Sequence, residues 1–170
     1  MNTSATSFTY EPKAKNGSAQ VLMGILMMAG ALCYLVTFFL PLFRGIVLLC
    51  AVLFFVAAIF VAYKYLLTSY VYSIYADETT PPCLLVEQKQ GKRASLVCRV
   101  PLSAVVALAP YDGKAYPARC YVYTATMRGG AYQLLCVRED GREFCVKLEA
   151  DEAFWTALQN AVSEQKSSAD

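Results

Sequence analysis

The stretch TFFLPLFRGIVLLC, residues 37–50, places Pro41, Arg44 and Gly45 inside an apolar run covering residues 21–67. A bilayer core about 30 Å thick is crossed by roughly 20 helical residues, so a run more than twice that length holds two spans. Pro41 has no backbone N–H and its ring clashes with the preceding turn, which ends a helix arriving from Val21 near Leu40. Arg44 then belongs at the water interface, because an arginine at mid-depth would cost at least a few kcal/mol. Gly45 supplies the backbone freedom of a tight helical hairpin. Residues 19–40 and 45–66 are therefore expected as an antiparallel pair of membrane helices.

Basic residues near span ends are retained on the cytoplasmic side. The tail before the first span carries Lys13 and Lys15, and Lys64 closes the second, whereas the turn between them offers only Arg44. This predicts a multi-pass protein of the cell membrane with both termini cytoplasmic. The cysteines agree: 7 Cys, an odd number without a CxxC, suit a reducing compartment. Ala29-Gly30-Ala31 looks like a signal-peptidase site, but the apolar run continues to Leu40 and a second span follows.

The overall value of 57% hydrophobic residues conceals distinct segments. Residues 1–17 are polar, small and aperiodic, and are expected as a disordered cytoplasmic tail. Residues 18–67 are the hairpin, residues 70–165 are long enough for one small domain with its own core, and 166–170 are a short tail. Of 15 Lys and Arg, Lys13, Lys15, Arg44 and Lys64 precede residue 70, leaving 11; of 13 Asp and Glu, Glu11 alone does, leaving 12. A domain so nearly neutral is not built to bind nucleic acid.

That domain reads as β. YVYSIYA (70–76), CLLVEQ (83–88), ASLVCRV, SAVVALA, RCYVYTATM, AYQLLCVR and EFCVKLE are rich in aromatic and branched residues and separated by turn signals, giving about seven short strands. Gly129-Gly130 and Asp140-Gly141 suit tight hairpins, so the last three strands are expected to form a meander. In the last strand Phe144, Val146 and Leu148 alternate with Cys145, Lys147 and Glu149. The period then changes: Phe154, Leu158 and Val162 recur at helical spacing, with Trp155 beside them and Asp151 and Glu152 at the N-terminal end, where acidic groups are favourable.

Seven strands followed by one amphipathic helix is the element order of the pleckstrin-homology (PH) fold, a bent β-barrel capped at one end by its helix. Within that order KRASLVCRVPLSAVVALAP resembles the segment of bacterial PH-like domains on paired membrane helices that runs from a basic turn through a strand to (I/V)-P-L-S-x-(I/V). The resemblance covers roughly residues 64–165. It implies a two-helix transmembrane hairpin carrying a PH-like barrel of about seven strands and one C-terminal helix.

With 0 His, the chain lacks the commonest general base, the usual partner of a nucleophilic serine or cysteine, and a common zinc ligand. It contains no glycine-rich phosphate loop, HExxH or GxSxG, so no catalytic, cofactor or metal site is expected and the chain is read as a non-enzyme. Cys83, Cys98, Cys120, Cys136 and Cys145 fall on or beside predicted strands, where a free thiol acts as a small hydrophobe. Cys33 and Cys50 read as packing residues within the hairpin.

Two loops are candidate binding surfaces. EQKQGKR collects Lys89, Lys92 and Arg93 within five positions. By analogy with phosphoinositide-binding PH domains, whose basic residues lie on an early strand-to-strand loop, these three would meet anionic headgroups. The loop at 109–118 carries Tyr111 and Tyr116 beside two prolines, a composition suited to partner recognition. The reading is a membrane scaffold or adaptor whose partners are the lipid bilayer and either anionic lipid headgroups or another membrane protein. The alternatives are a membrane-bound cysteine-dependent redox protein or enzyme, and an oligomeric subunit of a transporter or pore. Against the last, the spans carry no charge except Lys64 at the end of the second.

Overall fold

The computed structural model describes residues 6–12, 16–76, 81–113, 118–127, 130–139 and 141–167, with side chains from residue 8 onward. The chain divides into two compact units.

One unit contains helices α1 (Gly17–Val36, 20 residues) and α2 (Arg44–Tyr65, 22 residues). α1 ends four residues earlier than the proline rule predicts. Thr37 closes it, its hydroxyl donating to the Tyr34 carbonyl at 2.6 Å, and Phe38 and Phe39 N–H groups bond three residues back, tightening the last turn before the 3₁₀ segment Pro41–Phe43. Along the seam Ala19, Gly30, Ala51, Ala58 and Val61 are buried. Small side chains let two helical backbones approach closely. Gly30 shows the need: a methyl there would stand 3.2 Å from the Phe55 ring. At the open end the Asn16 amide donates to the Tyr65 carbonyl and the Thr68 hydroxyl to that of Tyr63 at 2.9 Å, satisfying α2's last turn. Away from the seam the surface is apolar and exposed, as at Ile25, Met28, Leu32, Ile46, Leu53 and Ile59. Cys33 is half-buried and Cys50 is exposed, so only Cys33 fits the packing role expected of both.

The other unit holds two four-stranded sheets. The strands are β1 (Thr6–Tyr10), β2 (Thr68–Ala76), β3 (Cys83–Gln90), β4 (Arg93–Pro101), β5 (Val105–Pro110), β6 (Arg119–Tyr123), β7 (Tyr132–Glu139) and β8 (Arg142–Glu149), followed by helix α3 (Glu152–Ser167). One sheet has the order β1-β2-β3-β4 and the other β5-β7-β8-β6. Between them lies one core, including Leu84, Val86, Val100, Leu102, Leu135, Val137, Val146 and Leu148, onto which α3 lays Phe154, Leu158 and Val162. The Tyr72 hydroxyl ties the sheets together, donating to the Tyr123 carbonyl at 2.5 Å and accepting from the Glu149 N–H at 3.3 Å.

Three expectations change. Residues 6–10, read as part of a polar tail, form an edge strand antiparallel to β2, because Phe8 and Tyr10 alternate onto one face and pack their tilted rings against Phe154 at centroid distances of 5.8 and 5.6 Å. The last three strands are not a meander: β6 runs parallel to β8, and β8 separates it from β7. Gly130 therefore does not close a tight β6–β7 turn, and Gly129 is outside the described residues; Thr124, Ala125 and Thr126, which follow β6, are buried. Finally, the two sheets do not close into a barrel. The hairpin at Gly141 is as expected, with Glu139 opposite Arg142 and Gly141 at φ +75°.

Candidate functional site

The basic loop is the tip of the β3–β4 hairpin. Gln90 faces Arg93 across a two-residue turn in which Gly91 adopts φ +60°, the left-handed conformation such turns demand. Opposed residues share a face and successive residues alternate, so Arg93 lies with Gln90 on one face and Lys89 with Ala94 on the other. Lys89 is committed to an ion pair with Glu11 at 2.7 Å, while Lys92 and Arg93 are exposed. The three basic residues meet at one tip but not on one face.

Tyr111 is drawn to the outward face of the β5-β7-β8-β6 sheet. Its N–H bonds to the Tyr132 carbonyl at 3.0 Å, extending the ladder beyond Pro110. Lys147 reaches between the two rings, its Nζ 3.7 Å from the Tyr111 centroid and 4.1 Å from that of Tyr132. A cation between two aromatic faces is held by both ring quadrupoles. Burial there lowers the Lys147 pKa, opposed by the charge of the Cys120 thiolate form. Tyr116, the other tyrosine of the loop, lies outside the described residues.

On the same face three thiols form a row across adjacent strands. Cys145 of β8 is opposite Cys136 of β7 and also opposite Cys120 of β6. The Cys145 thiol donates to Cys136 Sγ at 3.3 Å. Cys145 is buried, Cys136 half-buried and Cys120 exposed, so the uniform reading of strand thiols as core filler fits Cys83 and Cys145 but not Cys120. Burial, with the bond donated to Cys136 adding to it, raises the Cys145 pKa; burial also raises that of Cys120, against the pull of Lys147. On the core side Cys98 and Tyr123 share a hydrogen bond, and burial pushes Tyr123 up to about 12. No cluster of three or more potential metal-ligating side chains close enough to hold an ion forms among the described residues.

Lys147, Tyr132 and the Cys136–Cys145 contact escaped the sequence reading. The signal for the thiols was present: a two-residue turn closed by Glu139 and Arg142 fixes every pair beyond it, and three steps outward bring Cys136 opposite Cys145. No family model, curated protein or solved structure matches this chain.

Proposed function

We propose that the chain is an integral protein of the cell membrane, anchored by α1 and α2 as two spans with both termini cytoplasmic. In this reading the β-rich unit is a PH-like module that works by binding rather than catalysis, as a scaffold or adaptor. The observation that carries it is the surface of the helix pair. Both helices are long and apolar enough to cross a bilayer, and only 11% of each apolar window is buried inside the molecule. A core helix of a soluble domain would be covered; these two leave Ile, Leu, Met and Phe side chains facing outward, which a lipid environment accommodates. Support for the PH-like module comes from the order of strands then one core-covering helix, and from the basic β3–β4 tip.

The tip favours anionic lipid, since each basic side chain near an anionic surface contributes about 1 kcal/mol and anchoring by the hairpin raises the local concentration. Full-length protein in nanodiscs of neutral or anionic lipid tests it through amide hydrogen exchange. Exchange across residues 88–95 should slow in anionic discs, and the protection should vanish in high salt and in a Lys89→Ala, Lys92→Ala, Arg93→Ala variant. Equal exchange in both discs would make a protein the partner, to be recovered by affinity purification from mild detergent. Orientation is tested separately in intact cells. Arg44→Cys should react with an impermeant maleimide above the parent's background and Ser167→Cys should not; the reverse pattern overturns the topology.

A further inference from the structure

The β7–β8 hairpin carries a feature that membrane anchoring and surface binding do not require. Its closing pair, Glu139 and Arg142, leaves two residues in the turn, and pairs alternate outward between hydrogen-bonded and non-hydrogen-bonded. Counting from the closing pair, Arg138–Glu143 is non-hydrogen-bonded, Val137–Phe144 hydrogen-bonded, and Cys136–Cys145 non-hydrogen-bonded again. Non-hydrogen-bonded partners have Cα atoms about 4.5 Å apart. That is within the range of about 4.4–6.8 Å which a disulfide tolerates. The two sulfurs already touch at 3.3 Å on the outward face of the sheet.

From this register and contact we infer that Cys136 and Cys145 form a reversible cross-strand disulfide, a redox-active dithiol site whose substrates are low-molecular-mass disulfides and thiols. The two cysteines have different roles. Cys136 is the more accessible of the two and lies 3.3 Å from the buried Cys145 sulfur, so it is the sulfur that an incoming disulfide meets first. Cys136 as thiolate attacks one sulfur of a disulfide RSSR, forming a Cys136–S–S–R mixed disulfide and releasing RS⁻. Cys145 then gives up its proton to solvent and attacks the Cys136 sulfur, closing the cross-strand bond and expelling the second RS⁻. Both RS⁻ take up the protons lost by the two cysteines, so one RSSR is reduced to two RSH as two thiols become one disulfide. Burial keeps Cys145 protonated until then, so the second step is the slower. Excess RSH runs both steps backwards, as expected of a disulfide in a compartment where such bonds are transient.

The test is a redox titration of the full-length protein in detergent, in mixtures of reduced and oxidised glutathione, with acid quenching, alkylation and tryptic mapping. Cleavage after Arg128, Arg138, Arg142 and Lys147 places Cys136 in the peptide 129–138 and Cys145 in 143–147. Oxidising mixtures should link these two peptides, dithiothreitol should separate them, and Cys120→Ser should leave the link intact. Cys136→Ser, at a half-buried position that tolerates a hydroxyl, should abolish the link; Cys145→Ser should leave a stable glutathione adduct on Cys136. Glutathione on Cys120 with Cys136 and Cys145 both alkylated overturns the inference, as does a link from Cys145 to Cys120.

Discussion

Tyr72→Phe removes one oxygen from the centre of the β-rich unit and nothing else. Tyr72 is fully buried, and its hydroxyl is the polar link from β2 to the ends of β6 and β8. Without it the Tyr123 carbonyl loses a 2.5 Å bond and the Glu149 N–H a weaker one at 3.3 Å. A buried polar group deprived of its partner costs about 1–3 kcal/mol, and the shorter bond dominates, so the expected loss is about 2 kcal/mol. For a domain of this size that lowers Tm by roughly 10 °C. The chain has a single tryptophan, Trp155, which packs against the same core, so its fluorescence reports melting of this unit in the intact protein. The variant also has a pH signature. Burial, opposed by the Glu149 N–H bond, raises the Tyr72 pKa above its unfolded value of 10.0, and burial raises those of Tyr10 and Tyr123. The folded state then keeps phenol protons that the unfolded chain loses. Stability from these groups is complete below pH 10 and falls as pH rises towards their folded values, about 12 for Tyr123. Tyr72→Phe should melt earlier at pH 8 yet lose less stability than the parent between pH 10 and 12. A Tm within about 3 °C of the parent at pH 8, or an unchanged alkaline slope, would mean that the Tyr72 hydroxyl does not tie the two sheets together.

Other substitutions probe single contacts. Asp151 caps α3, its Oδ1 accepting from the Phe154 N–H at 2.8 Å, so Asp151→Ala should cost about 1 kcal/mol in the Trp155 melt. Gly141→Ala forces a side chain into φ +75° and should cost roughly 1–2 kcal/mol by the same assay. Gly30→Val drives a branched side chain into the Phe55 ring and should destabilise the helix pair by about 1–3 kcal/mol, lowering the temperature at which the protein aggregates in detergent; Phe55→Leu should restore part of the loss. An aggregation temperature indifferent to Gly30→Val would mean that the seam does not hold the pair together.

Features under the control of short-range chemistry are legible in the residues alone. The break near Pro41 follows from a missing N–H and a ring clash, and α3 from the spacing of Phe154, Leu158 and Val162. The β7–β8 turn follows from Gly141, and the inward Phe144, Val146 and Leu148 from alternation along one strand. Each is decided by neighbours a few residues away, where periodicity and backbone sterics operate. Features that depend on partners distant in the chain emerge only in the folded protein. Thr6–Tyr10 is too short and polar to announce itself as a strand; it becomes one by pairing with β2, where Thr9 meets Ser73 from 64 residues away. Gly129-Gly130 suggested a tight turn to the next strand, but β8 took the place beside β6, and local turn propensity cannot specify which of two apolar strands a third will join. The clustering of Lys89, Lys92 and Arg93 was visible, whereas the Glu11 pairing of Lys89 and its separation from Arg93 required the register and the edge strand. Tyr111 was visible as a loop aromatic, but Lys147 reaches it from another strand, because a long cationic side chain on a sheet face takes whatever aromatic rings the strand order sets beside it.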